Sequence, residues 1–189
     1  MFETLKDDAR NLLRPVARNI KNVNPNTLTI AGLLVSLVSA FFFAKREVFI
    51  AGIVLLASGA FDALDGAVAR ENNRITRFGG FLDSVTDRFA DAAIIIGAMY
   101  GGLEDIFTFH GWFIGTIAIV GSFMVSYTRA RAEAAGATAA VGLGDRASRI
   151  LIIVIGAFLD MVNWSILLVA IVSFITVLQR IAFARKVLK

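Results

Sequence analysis

Apolar runs of nearly bilayer-spanning length recur along this chain and restrict the folds open to it. One run, Leu28 to Ala44, contains no charged residue, and others begin at Val48, Phe107 and Trp164. A helix needs about 20 mostly apolar residues to cross the hydrocarbon core of a bilayer. The chain is 57% apolar and only 18% charged, with a mean hydropathy of +0.73. We therefore predict an all-α integral membrane protein without a separate soluble module.

The first 22 residues are too charged to span a bilayer but repeat apolar residues at helical spacing. Leu5, Leu12 and Val16 fall on one face, with basic residues such as Arg10 and Arg14 between them. This pattern is typical of an amphipathic helix lying in the headgroup layer, although a helix packed on a soluble partner would also produce it. A cleaved signal peptide would be arranged differently. We predict a juxtamembrane helix over residues 1–22 and a transmembrane domain over residues 23–189.

Polar breaks divide the transmembrane domain into six predicted spanning helices. Asn24-Pro25-Asn26-Thr27 precedes the first helix, and short polar connections follow the first two. The predicted helices cover Leu28–Ala44, Val48–Arg70, Arg77–Tyr100, Phe107–Ala135, Asp145–Leu159 and Trp164–Lys186.

Loop charges predict the orientation of these helices. The N-terminus, the connection between residues 70 and 77, the region 129–149 and the tail 180–189 are basic. Glu104, Asp105 and Asp160 lie on the opposite side, and only Lys45-Arg46 departs from the pattern. Because cytoplasmic loops are enriched in lysine and arginine, we predict a cell-membrane protein with both termini in the cytoplasm.

Composition excludes several kinds of chemistry. The chain has no cysteine, which excludes disulfides, thiolate metal sites and cysteine nucleophiles. Its single histidine, His110, excludes a metal site built from several imidazoles. The net charge of +4, in a membrane setting, favours anionic lipid or a phosphorylated substrate as partner, and not nucleic acid.

Four aspartates occupy the second and third predicted helices. Asp62 and Asp65 share one helix face, as do Asp83 and Asp87, because residues three or four apart are neighbours on a helix. A short polar turn joins the two helices, so they run antiparallel. The two pairs can therefore face each other at one depth, toward the cytoplasmic side.

Such a cluster of carboxylates needs compensating positive charge. Hard cations such as Mg²⁺ prefer oxygen ligands and commonly bind carboxylates together with substrate phosphates. Two divalent cations would neutralise the cluster and leave coordination sites for a pyrophosphate, which favours phosphoryl transfer. Ion pairs with nearby arginines are the alternative; the candidates are Arg70, Arg74, Arg77 and Arg88. Asp91 continues the same face, either as a hydrogen-bond partner of the site or as an interior polar residue.

Residues 62–87 resemble the signature motif of the CDP-alcohol phosphotransferase family, D-x2-D-G-x2-A-R-x8-G-x3-D-x3-D, at every fixed position. The resemblance implies transfer of a phosphoalcohol from a CDP-alcohol to an acceptor hydroxyl, with release of CMP. It implies two Mg²⁺ or Mn²⁺ ions on Asp62, Asp65, Asp83 and Asp87, with Asp87 also the general base. It implies CDP contacts at Asp62, Asp65, Gly66, Ala69, Arg70 and Gly79, with Thr29 as a further candidate. Helix packing alone would also explain the two glycines.

A second resemblance concerns the acceptor. Ser126–Ala134, Gly144–Arg149 and Gln179-Arg180 are similar to segments of the phosphatidylinositol-phosphate synthase branch, which commonly has lysine at the position of Arg129. This implies inositol phosphate as acceptor, with its phosphate bound by Arg129, Arg131, Arg146, Arg149 and Arg180. Arginine grips phosphate oxygens in a bidentate manner. The positive-inside rule alone would also place arginines here.

The run that begins Phe78-Gly79-Gly80 is similar to the archaeal members of that branch, which use archaeol ethers. The donor implied is CDP-archaeol, with CDP-diacylglycerol as the bacterial counterpart, and the family implies a homodimer. Glycerol 3-phosphate is the alternative acceptor, since it would also use a basic pocket. Outside the family, a divalent-cation transporter would also bury acids, but along a path through the bilayer.

Overall fold

Six α-helices form the described part of the chain in the computed structural model, which covers residues 19, 20, 23–103, 105, 111–138 and 141–188. The helices are α1 Pro25–Ala44, α2 Val48–Glu71, α3 Arg77–Tyr100, α4 Gly111–Ala134, α5 Arg146–Phe158 and α6 Val162–Val187. No strand occurs among these residues. The predicted all-α class is confirmed. The amphipathic helix predicted over residues 1–22 lies almost entirely outside the described residues, as do residues 107–110 of the fourth predicted helix.

Side-chain caps account for where three of the helices begin, and those of α1 and α5 are described first. The Asn24 carboxamide oxygen accepts a hydrogen bond from the backbone N–H of Asn26 at 3.0 Å, and Pro25 occupies the first turn of α1. At α5, a carboxylate oxygen of Asp145 accepts from the N–H of Ser148 at 3.0 Å. Both contacts satisfy donors that lack a partner within the helix. The break predicted around Pro25 is therefore the first turn of α1, which starts three residues earlier than predicted.

Among the described residues, four helices are long and apolar enough to cross a membrane: α1, α2, α4 and α6. Their number makes the chain a multi-pass membrane protein. Helix α5 has 13 residues, which at 1.5 Å per residue extend about 20 Å, less than the roughly 30 Å hydrocarbon core. Helix α3 carries all its charged residues between Arg77 and Asp91. Four candidate spans are thus found, and the number of six stays a prediction.

The helices pack around a shared apolar core, and α3 also contacts α4. Helix α1 packs against both α2 and α3, α4 packs against α6, and α5 contacts both α2 and α6. The main apolar core between them includes the fully buried side chains of Phe43, Leu55, Ile94 and Ile166. On the outer faces, large apolar side chains such as Leu178 are exposed, as expected of surfaces that face lipid.

Buried serines join α1 to α2. The hydroxyls of Ser36 and Ser58 lie 2.6 Å apart, and Ser58 donates to the Gly32 carbonyl at 3.0 Å. Hydrogen bonds of this kind hold helices together where lipid offers no hydrophobic driving force. A Cβ at Gly32 would lie 2.9 Å from a carboxylate oxygen of Asp62. The serine contacts therefore fix the part of α2 that precedes the first acidic pair.

One residue of the basic pair that departs from the charge pattern, Arg46, has a partner at the end of another helix. Arg46 lies between α1 and α2, and its Nε donates to the Gly101 carbonyl at 2.6 Å, just beyond the end of α3. The guanidinium thus caps a neighbouring helix end, where cations are favourable. A structural contact explains why a basic residue occurs at this position.

Candidate active site

The four aspartates of the predicted metal site lie between α2 and α3. Asp65 is buried, with 6% of its surface exposed, and its carboxylate accepts a hydrogen bond from the Thr29 hydroxyl at 2.5 Å. Asp62, Asp83 and Asp87 are partly buried. Helix α1 contacts both α2 and α3. The Thr29 hydrogen bond therefore connects the first acidic pair, on α2, to a helix that also packs against α3.

A guanidinium from α5 lies among these acids. Arg146 Nη1 donates to Asp62 Oδ2 and lies 2.8 Å from Asp87 Oδ1. Its Nε donates to Asp91 Oδ1 at 3.4 Å. Arg146 therefore bridges an acid of α2 to two acids of α3. The sequence predicted Arg146 for the acceptor site, and its contact with the aspartates was missed.

Asp91 has a second arginine partner. Arg149 Nη2 donates to Asp91 Oδ2 at 2.5 Å, and Arg149 Nη1 donates to the Gly144 carbonyl at 2.7 Å. Arg88 Nη2 donates to Asp87 Oδ2 at 3.0 Å. Ion pairing of the acids thus occurs, but mainly with arginines of α5. The sequence signal for these ion pairs was the three-residue spacing of Arg146 and Arg149, which puts both side chains on one helix face.

One cavity lies on the α1 side of the acids, with a volume of about 250 Å³. We call it the first cavity. It brings together six of the seven residues predicted to contact CDP: Thr29, Asp65, Gly66, Ala69, Arg70 and Gly79. Asp62 is not among its lining residues. The first cavity is also lined by Asn26, Arg74 and Thr76. The sequence analysis did not predict these residues for the site, although Thr76 stands where a helix N-cap is expected.

The glycines keep the wall of the first cavity open. A Cβ at Gly79 would lie 3.0 Å from the Thr76 hydroxyl oxygen and 3.2 Å from the Asn26 carboxamide oxygen. That hydroxyl caps α3 by accepting from the Gly79 N–H at 2.9 Å. A Cβ at Gly66 would lie 3.0 Å from Arg70 Nη1. Both positions therefore favour glycine because a side chain would crowd polar groups of this cavity.

A second cavity, of about 420 Å³, lies on the other side of the acids. Four of the five arginines predicted to bind acceptor phosphate line it: Arg129, Arg146, Arg149 and Arg180. Arg131 is exposed and is not among its lining residues. Asp87 also lines this second cavity, and Asp83 lines both cavities. The acids thus separate a cavity bearing the motif residues from a basic one.

The arginines of the second cavity are held in different ways. Arg180 is 5% exposed. It donates from Nε to the Val141 carbonyl at 2.9 Å and from Nη1 to the Val125 carbonyl. Arg129 is exposed and its Nε donates to Glu133 at 2.9 Å, one helical turn away. Because these contacts use only part of each guanidinium, N–H groups remain for an anion.

The donor set suits a hard divalent cation, since all four predicted ligands are carboxylates. Within the described ranges, no three acidic or histidine side chains converge closely enough to enclose an ion. Arg146 instead supplies the positive charge shared by Asp62 and Asp87. The chemistry of the ligands therefore fits a metal, whereas their present arrangement fits a guanidinium.

Comparison with known proteins gives one consistent result. Residues 22–180 match the sequence model of the family described as CDP-alcohol phosphatidyltransferase. The chain is 39% identical to the archaetidylinositol phosphate synthase of Pyrococcus horikoshii over 189 residues, covering 98% of this chain and 97% of that protein. It is 36% identical to the enzyme of the same name from Methanothermobacter thermautotrophicus over 195 residues, covering 100% and 96%.

Solved structures agree with the sequence comparison. The crystal structure of Mycobacterium tuberculosis phosphatidylinositol phosphate synthase with manganese and citrate has a TM-score of 0.82 and 30% identity, covering 92% of this chain and 88% of that one. The same enzyme with CDP-DAG bound gives a TM-score of 0.78 and 30% identity, covering 92% and 94%. Fold and sequence therefore point to the same group of proteins.

Proposed function

Because this chain belongs to the CDP-alcohol phosphatidyltransferase family, we propose that it transfers an archaetidyl group from CDP-archaeol to inositol phosphate. The products are archaetidylinositol phosphate and CMP. The chain is an enzyme of this class, which replaces the cation transporter considered from its buried acids. The two archaeal relatives named above support the lipid and the acceptor.

One observation carries the proposal. Asp83 lies at the boundary of two cavities, one lined by the motif residues and the other by arginines. A phosphoryl-transfer enzyme must hold the donor pyrophosphate and the acceptor hydroxyl on opposite sides of the reacting phosphorus. Two cavities that meet at a carboxylate supply that arrangement. A single cavity would not separate the two substrates.

The first cavity takes the CDP group in this proposal. Arg70 supplies N–H donors for phosphate oxygens, while Gly66, Ala69 and Gly79 allow the nucleotide to approach the helix backbones. Thr29 positions Asp65 through its 2.5 Å hydrogen bond. Asp62 does not line the cavity, and it would act toward the nucleotide by holding a divalent cation.

The second cavity takes the acceptor phosphate. Arg129, Arg146, Arg149 and Arg180 surround it, and an anion there would meet guanidinium groups from α4, α5 and α6. Such forks bind phosphate more specifically than lysine does. Arg131 is retained only as a peripheral contact, because its side chain is exposed. This basic lining favours a phosphorylated acceptor over free inositol or serine.

Asp62, Asp65, Asp83 and Asp87 would hold two divalent cations. The similar M. tuberculosis enzyme crystallised with manganese, which supports Mg²⁺ or Mn²⁺ here. Bound cations would stabilise negative charge on the pyrophosphate and on the CMP leaving group. Asp87 adds a second role, because it lines the second cavity as well as belonging to the acid cluster.

Asp87 acts as the general base. It accepts the proton of the acceptor hydroxyl while that oxygen forms a bond to the lipid-linked phosphorus. The bond from this phosphorus to the bridging oxygen breaks, and CMP leaves with the electron pair. Positioning of the hydroxyl by the arginines supplies much of the rate, since a carboxylate is a weak base.

We also propose the membrane arrangement predicted from sequence. In this proposal all six helices of residues 23–189 cross the bilayer, and both termini face the cytoplasm. The acids lie at the ends of α2 and α3 nearest the basic Arg70–Arg77 connection, which supports an active site on the cytoplasmic side. The functional unit is a homodimer, as the family resemblance implies.

Release of CMP with different acceptors tests the reaction. Purified protein is supplied with CDP-archaeol and Mg²⁺ or Mn²⁺, and separately with inositol phosphate, inositol, glycerol 3-phosphate and serine. We expect turnover with inositol phosphate at least about tenfold above the other acceptors, since each 1.4 kcal/mol of discrimination gives a factor of ten. A preference for glycerol 3-phosphate would show that this compound, and not inositol phosphate, is the acceptor. A preference for free inositol would contradict the binding of acceptor phosphate by the arginines.

Substitution at Asp87 tests the base. Asp87→Asn keeps the side-chain size but cannot accept the proton, so turnover should fall by at least about 100-fold, the usual scale of general-base loss. Binding of CDP-archaeol, followed by equilibrium dialysis with labelled lipid in detergent, should persist. Ser84→Ala, a neighbouring residue of the same cavity, serves as control. Near-wild-type turnover of Asp87→Asn would contradict the assignment.

A further inference from the structure

Among the arginines of the predicted acceptor set, the described structure gives Arg146 contacts with predicted metal ligands, and its Nε also donates to Asp91. Its Nη1 contacts Asp62 and lies 2.8 Å from Asp87 Oδ1. The side chain is 15% exposed, so these ion pairs are largely shielded from water. Arg149 and Arg180 instead bond to Asp91 and to backbone carbonyls.

These contacts conflict with metal binding at the same carboxylates. An ion held jointly by Asp62 on α2 and Asp87 on α3 would compete with Arg146 Nη1 for these two carboxylates. Two divalent cations would also repel a guanidinium a few ångströms away, because like charges in a poorly solvated site interact strongly. Arg146 and the cations therefore compete for the cluster.

Arg146 has another place to go. Its side chain lines the second cavity with Arg129, Arg149 and Arg180. The backbone of Arg146 is fixed because this residue is the first of α5, and Asp145 caps that helix. Rotation of the side chain alone would thus transfer the guanidinium from the acids to the basic cavity.

We propose that Arg146 is the counter-ion of the metal-free acid cluster and that divalent cations displace it into the second cavity, where it completes the acceptor-phosphate site. The inference rests on the proposed function, because it takes the four aspartates to be the metal ligands. Without metal, Arg146 prevents the acids from repelling one another. With metal, it becomes free to bind phosphate. Metal binding and acceptor binding are therefore coupled, and each strengthens the other.

Mn²⁺ binding tests the displacement directly. Purified protein in detergent is stripped with a chelator, and free Mn²⁺ is followed by electron paramagnetic resonance during titration. Arg146→Met removes the competitor, so Mn²⁺ should bind about tenfold more tightly than to wild type, or about 1.4 kcal/mol. Arg146→Lys keeps the charge but cannot bridge several carboxylates, and it should fall between the two.

Arg129→Met is the matched control. It removes one positive charge from the same cavity, but Arg129 pairs with Glu133 and contacts none of the four aspartates. The affinity of the Arg129→Met variant for Mn²⁺ should stay within about twofold of wild type, as expected when a partly screened charge is removed. Equal tightening in Arg129→Met and Arg146→Met would show that net charge, and not displacement, controls the affinity.

Thermal unfolding gives a second readout. With chelator, Arg146→Met should unfold at a lower temperature than wild type because its acids lack a counter-ion, and saturating Mn²⁺ should abolish that difference. A deficit that persists in Mn²⁺ would make Arg146 a purely structural residue and overturn the inference. If Arg146→Met does not fold, Arg146→Lys carries the same comparison.

The outcomes separate this inference from the proposed function. If wild type shows no saturable Mn²⁺ binding that Asp83→Asn abolishes, the metal site itself is wrong. If wild type binds Mn²⁺ and Arg146→Met binds it no more tightly, the metal site stands and the displacement is refuted.

Discussion

At the scale of single residues, the pair of Asp91 and Arg149 is the most deeply buried ion pair described in the site. Asp91 is 7% exposed and Arg149 is 3% exposed, with 2.5 Å between Oδ2 and Nη2. Arg149 also donates to the Gly144 carbonyl, so it ties α3 to the start of α5. Replacing both members of such a pair is often tolerated, whereas removing one leaves a buried, unpaired charge.

We therefore expect Arg149→Met to lower the free energy of unfolding by about 3–5 kcal/mol. The double variant Asp91→Asn with Arg149→Met should recover part of that loss. Arg129→Met, which removes an exposed pair within one helix, should cost less than about 1 kcal/mol. Denaturant unfolding in mixed micelles measures all three. A loss in Arg149→Met no larger than in Arg129→Met would contradict the structural role of the buried pair.

At the scale of helices, the contact of α1 with α3 positions the second acidic pair. Gly97 on α3 lies directly against the backbone of Ala40 on α1, and a Cβ at Gly97 would overlap the Ala40 carbonyl. Close approach of this kind is how small residues join helices in a bilayer. On the same helix, a Cβ at Gly80 would meet no atom within 4 Å.

Alanine at these two glycines should therefore have opposite effects. Gly97→Ala forces the backbones of α1 and α3 apart and should cost about 1–3 kcal/mol, the usual scale of overpacking. Gly80→Ala gains helix propensity and should be neutral or stabilising by up to about 1 kcal/mol. The melting temperature, read from tryptophan fluorescence, compares them without relying on activity. Equal melting temperatures would show that α1 and α3 are not held at this contact.

At the scale of the whole molecule, the absence of cysteine makes the proposed topology directly testable. Single cysteines can be placed in exposed connections without removing a native one. Glu47 and Met161 lie in connections predicted on the outer side, and Ile75 and Ala135 lie in connections predicted on the cytoplasmic side. Each position is close to a helix end, so labelling reports on the helix beside it.

A membrane-impermeant maleimide should label Ile75→Cys and Ala135→Cys in inside-out vesicles only. Glu47→Cys and Met161→Cys should be labelled in right-side-out vesicles only, as the positive-inside rule predicts. The cysteine-free parent measures the background. Labelling of Glu47→Cys and Ile75→Cys from the same side would show that α2 does not cross the bilayer.

Local information accounts for what the sequence by itself determined. Apolar run lengths set the helices, and the predicted bounds of the third helix, Arg77–Tyr100, agree with those of α3. Motif spacing put Asp62 beside Asp65 and Asp83 beside Asp87. Such features depend on helical periodicity and on residues within a few positions along the chain. They were enough for the all-α class and for the family reaction.

The tertiary structure alone decided which distant groups meet. Arg146 lies 84 residues from Asp62, and Thr29 lies 36 residues from Asp65. The structure also separated Arg129, which lines the second cavity, from Arg131, which is exposed. Contacts of this range depend on how α5 and α1 each pack against α2, and periodicity within one helix carries no information about its partner. The sequence thus determined the chemistry available, and packing decided which charge balances the acids.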